Sequence, residues 1–410
     1  MVLSTLLRLL KIDLQHDREF SLYLLVGFML GLGSGIYNSI FPNWLNAVYG
    51  ITETQRGLLE LPREGAGLIV MFVVGLMSFL GDIRLSRVTM VLQFVGVFGM
   101  ALLAPQYSIM MVWLFIYSLG SHVFMPLTSK IGMSLSDRAH FGMRLARYSA
   151  FGLVATIIGD GVVWGTMRLF HIGYKPLFVC AGVCFVGAAV AMGMMRADKP
   201  DHKRPKFVFR RQYSLYYAMC LVSGARQQIF LTFAPWVLVT VFAVDAPTFA
   251  VLGVVISLVQ IGTRTLVGRA IDKIGERKVL MAEACLLLLV CLGYSFSGSF
   301  FRAAVAVVLI AACYVLDSSM SVVEMARSTY MRKIAVEEAD ITATLSTGTS
   351  ITHIASMSIP TLGGLLWAVT GSYQPVFMVA GVIAVLNLIL TSRIRIAQPA
   401  VEPIPQTAAC

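Results

Sequence analysis

The sequence predicts an all-α integral membrane protein with twelve transmembrane helices. The chain has 410 residues, of which 58% are hydrophobic and only 13% are charged, and its mean hydropathy is +0.80. A soluble domain carries about 25% charged residues. This low charge, spread along the whole chain, indicates a protein that resides in a membrane.

Apolar runs of about 20 residues recur along the sequence, and each is long enough to cross a hydrocarbon core. Backbone groups in lipid must be hydrogen-bonded within the spanning segment, so the runs are predicted to be helices. The predicted spans are residues 20–45, 57–80, 88–104, 109–131, 147–168, 176–195, 215–242, 249–268, 279–297, 303–326, 343–368 and 375–392.

The first 19 residues are rich in leucine and basic side chains and are typical of an amphipathic helix on the membrane surface. They lack the small-residue cleavage site of a signal peptide. Most Lys and Arg residues fall in the loops on one side of the predicted spans, which places both termini in the cytoplasm, at the cytoplasmic (inner) membrane. The net charge of +11 therefore indicates topology and contact with anionic lipid, and does not point to nucleic acid.

The basic, proline-containing segment 196–213 is predicted to be a cytoplasmic linker between two six-helix bundles, 20–195 and 214–392, with a cytoplasmic tail at 393–410. The two halves are related: GYKPLFVCAGV at 173–183 matches SYQPVFMVAGV at 372–382. Further pairs in the alignment are Gly31 with Gly224, Ile36 with Ile229, Pro42 with Pro235, Asp82 with Asp272, and Arg87 with Arg277. Duplication in the same direction is typical of transporters built from parallel repeats.

The loop GRAIDKIGERK, at 268–278, resembles the signature G-x-x-x-D-[RK]-x-G-x-[RK]-[RK] of the major facilitator superfamily. Its defining positions are Gly268, Asp272, Lys273, Gly275, Arg277 and Lys278. In the corresponding loop of the first half, Asp82, Arg84 and Arg87 remain. The resemblance implies two pseudo-symmetric bundles around a central cavity, alternating access, and a loop that helps to latch the cytoplasmic side.

Ionisable residues at membrane depth are costly and normally face a partner, water or the bundle interior. They avoid predicted spans three, six and twelve, which the resemblance to the superfamily places at the lipid-facing periphery. Those found away from span ends are Glu60, Arg63, Glu64, His122, Lys130, Asp160, Arg226, Arg264, Asp317, Glu324 and His353. The polar side chains are therefore predicted to converge on one passage.

Arg226 lies in VSGARQQIFLTF, at 222–233, roughly 16 Å from the start of its span and close to the midplane. A planar guanidinium there suits bidentate binding of a carboxylate or phosphate. Gln227 and Gln228 point along different helix faces, so we expect at most one to share such a site. A buried ion pair of Arg226 with Asp317 or Asp160 is the alternative, and the sequence leaves both interpretations open.

Glu60 and Glu64 lie one helical turn apart with Arg63 beside both. Two carboxylates on one face repel when ionised, which makes the deeper Glu64 a candidate for proton coupling. Glu60 fits an intrahelical salt bridge. The predicted substrate-binding residues are Arg226, Gln227, Gln228, Arg63, Asn38 and His122, and the predicted proton-coupling residues are Asp317, Glu64, Asp160 and His353.

No hydrolase, kinase, metal or Walker pattern is present, so neither an enzyme nor a cofactor is predicted, and an ion gradient is the natural energy source. The sequence favours a monomeric secondary transporter for a small polar or anionic organic solute, coupled to protons. A drug/proton antiporter is the alternative, although GDGVVWG in the fifth span lacks the proline of the antiporter pattern. A receptor without transport activity is disfavoured by the complete signature loop and the buried charges.

Overall fold

The computed structural model describes residues 18–135, 141–196 and 209–395, and throughout these ranges the chain is helical with no β-strand. The predicted surface helix at 1–19 and the tail at 393–410 lie almost entirely outside the described residues, as does 197–208 of the predicted linker at 196–213.

Fourteen α-helices follow one another in the described ranges. In the N-terminal half they are α1 (Arg18–Tyr49), α2 (Glu53–Leu58), α3 (Glu60–Leu76), α4 (Asp82–Leu102), α5 (Tyr107–Ser134), α6 (Phe141–Phe170) and α7 (Tyr174–Gly193). In the C-terminal half they are α8 (Ser214–Thr240), α9 (Ala246–Ile274), α10 (Glu276–Phe300), α11 (Ala303–Met320), α12 (Glu324–Ile334), α13 (Glu338–Thr370) and α14 (Gln374–Ser392).

Two of the twelve predicted spans are interrupted. The second is divided at Leu59 into α2 and α3, and α2 begins with a capping box in which Thr52 and Gln55 bond each other's backbone. The tenth is divided by a 3₁₀ turn at Ser321–Val323 into α11 and α12. These breaks explain why fourteen helices correspond to twelve predicted spans.

Nine membrane-spanning candidates satisfy the length and hydropathy expected of a bilayer helix within the described ranges, so the twelve-span count is confirmed in part. The remaining predicted spans correspond to α2–α3, α8 and α13. These segments contain Glu60, Arg226 and His353: α3 has only 17 residues, and polar residues lower the hydropathy of α8 and α13.

A repeated turn connects the second and third spans of each half. Gly81 has φ 72° and ψ 161°, Gly275 has φ 81° and ψ 161°, and a helix begins at the next residue in both places. The positive φ favours glycine because side chains with a Cβ rarely adopt it. The carboxylate at the first helical position then pairs with a lysine at the end of the following span: Asp82 with Lys130 at 2.8 Å, and Glu276 with Lys333 at 2.6 Å.

This turn corrects one detail of the internal alignment. The sequence pairs Asp82 with Asp272, but the backbone places Asp82 where Glu276 stands, whereas Asp272 lies before the turn in the last part of α9. The sequence alignment of the two loops is therefore wrong by four residues. It pairs the two aspartates, whereas the backbone pairs Gly81 with Gly275, the glycines at which the chain turns.

The halves meet closely at one end, where residues 50–52 join α1 to α2 and residues 241–245 join α8 to α9; we call it the closed end. A Cβ atom at Gly57 would collide with the backbone carbonyl of Pro360, and one at Gly364 with that of Glu53. Arg168 and Asp245 also form an ion pair of 3.6 Å across the two halves.

Towards the opposite end, which carries Gly81 and Gly275, the halves separate; we call it the open end. A cleft of about 370 Å³ lies there between α6, at Leu145–Leu153, and α9, at Ile261–Thr265. The described structure is thus shut at one end of the bundle and accessible at the other.

Candidate functional site

The buried charges of the C-terminal half centre on Arg226, as the sequence suggested, and its partner is Asp317. The guanidinium Nη1 lies 2.5 Å from Asp317 Oδ1, and each side chain is 6% exposed. The guanidinium also lies 5.4 Å from the centre of the Phe230 ring one turn along α8, a cation–π distance. Of the two ion pairs that the sequence left open, the described structure contains the one with Asp317 and not the one with Asp160.

A second pair lies beside the first. Arg327, at the start of α12, donates a 2.6 Å hydrogen bond to Ser223 Oγ and lies 3.9 Å from Glu283 Oε2. Arg327 is not among the residues predicted from the sequence, because it follows the predicted end of the tenth span. The available signal was Glu283, a buried carboxylate that requires a cation in a neighbouring helix.

Glu60, in the N-terminal half, is fully buried and has several hydrogen-bond donors around it. It accepts hydrogen bonds from Arg56 at 2.7 Å and from Arg63 at 3.2 Å, the intrahelical arrangement expected for it, and from Gln228 Nε2 at 3.0 Å. Arg56 is 2% exposed and was also missed, because it precedes the predicted start of the second span. Its spacing of four residues from Glu60 was the signal.

Glu64 faces two histidines. Its Oε2 atom lies 3.0 Å from His353 Nδ1 and 3.9 Å from His122 Nε2, and its Oε1 atom lies 4.0 Å from Arg63 Nε. The sequence assigned His122 to substrate binding and His353 to proton coupling. The structure brings both to the same carboxylate, at the boundary between the halves.

Asp160 is separate from these clusters. Ser39 donates a 2.7 Å hydrogen bond to Asp160 Oδ1, while Oδ2 has no hydrogen-bond partner among the described residues and packs against Gly253 of α9. This buried carboxyl therefore sits between α6 and α9 with no basic side chain in salt-bridge contact in the part of the chain described.

Two adjoining polar cavities, each of about 200 Å³, connect the clusters. Glu64, Gln228 and His353 line one, and Arg226 and Asp317 line the other. Both are lined by Ser223, Gln227, Leu231 and Arg327. Gln227 and Gln228 thus have different surroundings, as expected from their helix faces, and the exposed Asn38 does not line either cavity.

The signature loop lies at the open end. Asp272, Lys273, Arg277 and Lys278 are exposed, and the space beside Gly268 is open. In the first half, the exposed Arg87 packs beside Gly193, and Asp82 is tied to Lys130. The charged side chains of the second-half loop are thus exposed in the described conformation, and the latch role expected of this loop stays a prediction.

The sequence profile of the Major Facilitator Superfamily matches residues 23–344. A mutant form of the nucleoside transporter NupG superposes with a TM-score of 0.73 at 11% identity, covering 91% of this chain and 98% of that one. A D-xylose–proton symporter superposes with a TM-score of 0.69 at 13% identity, covering 91% and 96%. A bacterial homologue of the human lysosomal transporter Spinster, in an inward-facing and occupied conformation, does so with a TM-score of 0.69 at 13% identity, covering 93% and 96%. No curated protein sequence matches the chain.

Proposed function

The chain belongs to the major facilitator superfamily, and on this premise we propose that it is a secondary active transporter that moves a small polar or anionic organic solute and is coupled to protons. At 11–13% identity the solved transporters show the fold alone. The class of solute is inferred from the residues that line the cavity.

The Arg226–Asp317 pair is the observation that carries the proposal. Arg226 has five N–H donors. One of them meets Asp317, and the buried Nε has no hydrogen-bond partner among the described residues. A solute carboxylate or phosphate could therefore bind the guanidinium in place of Asp317, and a proton on Asp317 would remove the competing charge. Arg226 would therefore pair with Asp317 when the site is empty and with the solute when it is bound.

The cavity walls support a small polar solute. Gln227 and Ser223 contribute hydrogen-bonding groups to both cavities, and Arg327 contributes a second cation. Each cavity holds about 200 Å³, several times the roughly 30 Å³ share of one water molecule. Together they accommodate a solute of the size of a sugar or a small organic acid.

Proton coupling is assigned in this proposal to Asp317, Glu64, Asp160 and His353. Asp317 controls the solute site, Glu64 and His353 bridge the halves, and Asp160 lies in the contact between α6 and α9. Taking up a proton at these positions would weaken these contacts, and coupling requires that the proton favour one conformation over the other. The D-xylose–proton symporter shows that this fold can couple to protons.

The basic loops place the open end and both termini on the cytoplasmic side in this proposal, by the positive-inside rule. The described conformation is then the inward-open one.

The test is uptake into proteoliposomes that contain the purified protein under an imposed pH gradient. Solutes would include organic acids, sugars, nucleosides, amino acids and lipophilic cations. We expect accumulation of a polar or anionic solute that a protonophore abolishes. Arg226→Ala should lose it, and Arg226→Lys should restore little because lysine lacks the bidentate fork.

Arg302→Ala is the matched control, because Arg302 is an exposed arginine that lines neither cavity. Accumulation of lipophilic cations alone, or uptake that is unchanged in Arg226→Ala, would contradict the proposal and favour the antiporter alternative.

A further inference from the structure

We propose that Glu64, His122 and His353 form a binding site for a dication of the Zn²⁺ type, which links the two halves of the protein when it binds. One ligand atom of each residue lies within 4.8 Å of those of the other two. Glu64 and His122 belong to α3 and α5, and His353 to α13, so both halves contribute. The proposal concerns metal binding and is independent of the transported solute.

The orientation of His122 follows from its hydrogen bonds. Its Nδ1 atom lies 2.9 Å from the backbone oxygen of Ser118, and a carbonyl oxygen can only accept, so Nδ1 carries the proton in the neutral ring. The hydroxyl of Ser118 donates to the backbone oxygen of Arg63 at 2.6 Å and can accept from the same Nδ1 at 3.0 Å. The lone pair of Nε2 is therefore left to face Glu64. Metal-binding histidines typically have their second nitrogen fixed in this way.

The two distances from Glu64 to the histidines lie on either side of the spacing expected around a tetrahedral ion. Bonds of about 2.0–2.1 Å to the metal place neighbouring ligand atoms about 3.3 Å apart. Glu64 Oε2 lies 3.0 Å from His353 Nδ1 and 3.9 Å from His122 Nε2, one shorter and one longer than this spacing. Oε2 and Nε2 of His122 are two acceptors with no proton between them, so a cation would fill an electron-rich gap.

Binding also balances protons. In the hydrogen bond without metal, His353 Nδ1 donates to Glu64. The ion takes the place of that proton, and His353 remains neutral by carrying its proton on Nε2 instead. No described residue is hydrogen-bonded to that nitrogen, so this tautomer is free to form.

The ligand set selects the metal. Two imidazoles and one carboxylate suit Zn²⁺, Co²⁺ or Ni²⁺, whereas Mg²⁺ and Ca²⁺ prefer oxygen ligands throughout. Glu64 and His353 line the cavity, which leaves a fourth position for water. The positive charge that would repel a bound cation is that of Arg63, whose Nε lies 4.0 Å from Glu64 Oε1. Glu60 partly neutralises this charge, because its Oε1 lies 3.2 Å from Arg63 Nη1.

The test is a Zn²⁺ titration of the full-length protein without a polyhistidine tag, in which calorimetry measures the stoichiometry and affinity of binding. Thermal unfolding is measured at each metal concentration. We expect the wild type to bind one more Zn²⁺ than His122→Gln or His353→Gln, with an affinity loss of at least tenfold at this site in Glu64→Gln. Zn²⁺ should raise the melting temperature of the wild type, and Mg²⁺ should not.

His171→Asn is the matched control. His171 is an exposed histidine outside the cluster, with φ 53°, a left-handed conformation that asparagine tolerates. This variant should bind as the wild type does. Equal Zn²⁺ stoichiometry in the wild type and both cluster variants would mean binding to surface histidines and would overturn the proposal, as would equal stabilisation by Mg²⁺.

Two further measurements guard against misfolded variants. The metal-free variants must elute and unfold as the wild type does, and Co²⁺ bound to the wild type must show the visible absorption of a tetrahedral nitrogen-containing site that either histidine variant lacks.

For the link between the halves, spin labels at the exposed Ala47 and Ala368 should give a narrower distance distribution with Zn²⁺ in the wild type and not in His353→Gln. An unchanged distribution in the wild type would contradict the link.

Discussion

Gln228 donates a hydrogen bond of 3.0 Å from its Nε2 atom to Oε2 of Glu60, and this bond joins α8 to α3 across the boundary between the halves. Both side chains are almost completely buried, at 2% and 0% exposure. Glu60 also accepts hydrogen bonds from Arg56 and Arg63, which balance its negative charge. The bond between the halves is therefore one from a neutral amide to a carboxylate that is already paired.

Gln228→Glu should push the halves apart at this point. The substitution keeps the size of the side chain but places a second carboxylate against Glu60, and like charges at this distance repel strongly away from water. We expect the distance between spin labels at Ala47 and Ala368, at the closed end, to increase. Gln227→Glu is the control, because Gln227 faces the cavity instead of Glu60. Equal effects of the two variants would show that the contact does not hold the closed end.

Asp317→Asn should destabilise the protein by about 3–5 kcal/mol, because it leaves a buried arginine without its counter-charge. The double variant Arg226→Gln, Asp317→Asn should cost clearly less than the sum of the single variants, as measured by chemical unfolding in detergent. The exposed pair Arg168–Asp245, at 3.6 Å, is the comparison and should show coupling of about 0–1 kcal/mol. Additive effects at Arg226 and Asp317 would mean that the pair is not a unit.

Gly364→Leu should open the closed end. Gly364 packs against the backbone of Glu53 in the other half, so any larger side chain must displace that helix. We expect labels at Ala47 and Ala368 to move apart and a cysteine placed at the closed end to react faster with a water-soluble reagent. Gly165→Leu is the control, because the space beside Gly165 is open. An unaltered label distance in Gly364→Leu would contradict the tight contact.

Lys333→Met should lower the melting temperature more than Lys130→Met does. Both lysines pair with the carboxylate at the start of a helix, but the side chain of Glu276 is 1% exposed and that of Asp82 is 20% exposed. Water compensates a lost partner at Asp82 better than at Glu276. Thermal unfolding of the two purified variants measures the difference, and a larger loss in Lys130→Met would contradict this ranking.

Much of this fold could be predicted from the sequence, because hydropathy is a local property. The apolar runs and the signature loop identified a helical membrane protein of this family, and the rarity of buried charge drew attention to Arg226 and Glu64. The partner of Arg226 could be narrowed only to two acids, since the choice depends on how α8 packs against α11 or α6.

The rest depends on contacts between distant residues. Glu64 and His353 are 289 residues apart, and no periodicity relates them. Arg56 and Arg327 were missed because hydropathy marks the ends of spans poorly where a helix is broken. The internal alignment followed side-chain identity, whereas the fold repeats the positive φ of Gly81 and Gly275.

The segments α2–α3, α8 and α13 carry buried polar side chains and are not among the candidate bilayer helices of the described ranges: α3 has only 17 residues, and the hydropathy of α8 and α13 falls short. A buried arginine or glutamate disfavours the insertion of an isolated segment during synthesis. Contacts with neighbouring helices offset this cost in the folded protein, and α13 packs against both α3 and α8. The polar groups of the cavity thus make the membrane insertion of α8 and α13 depend on packing as well as on hydropathy.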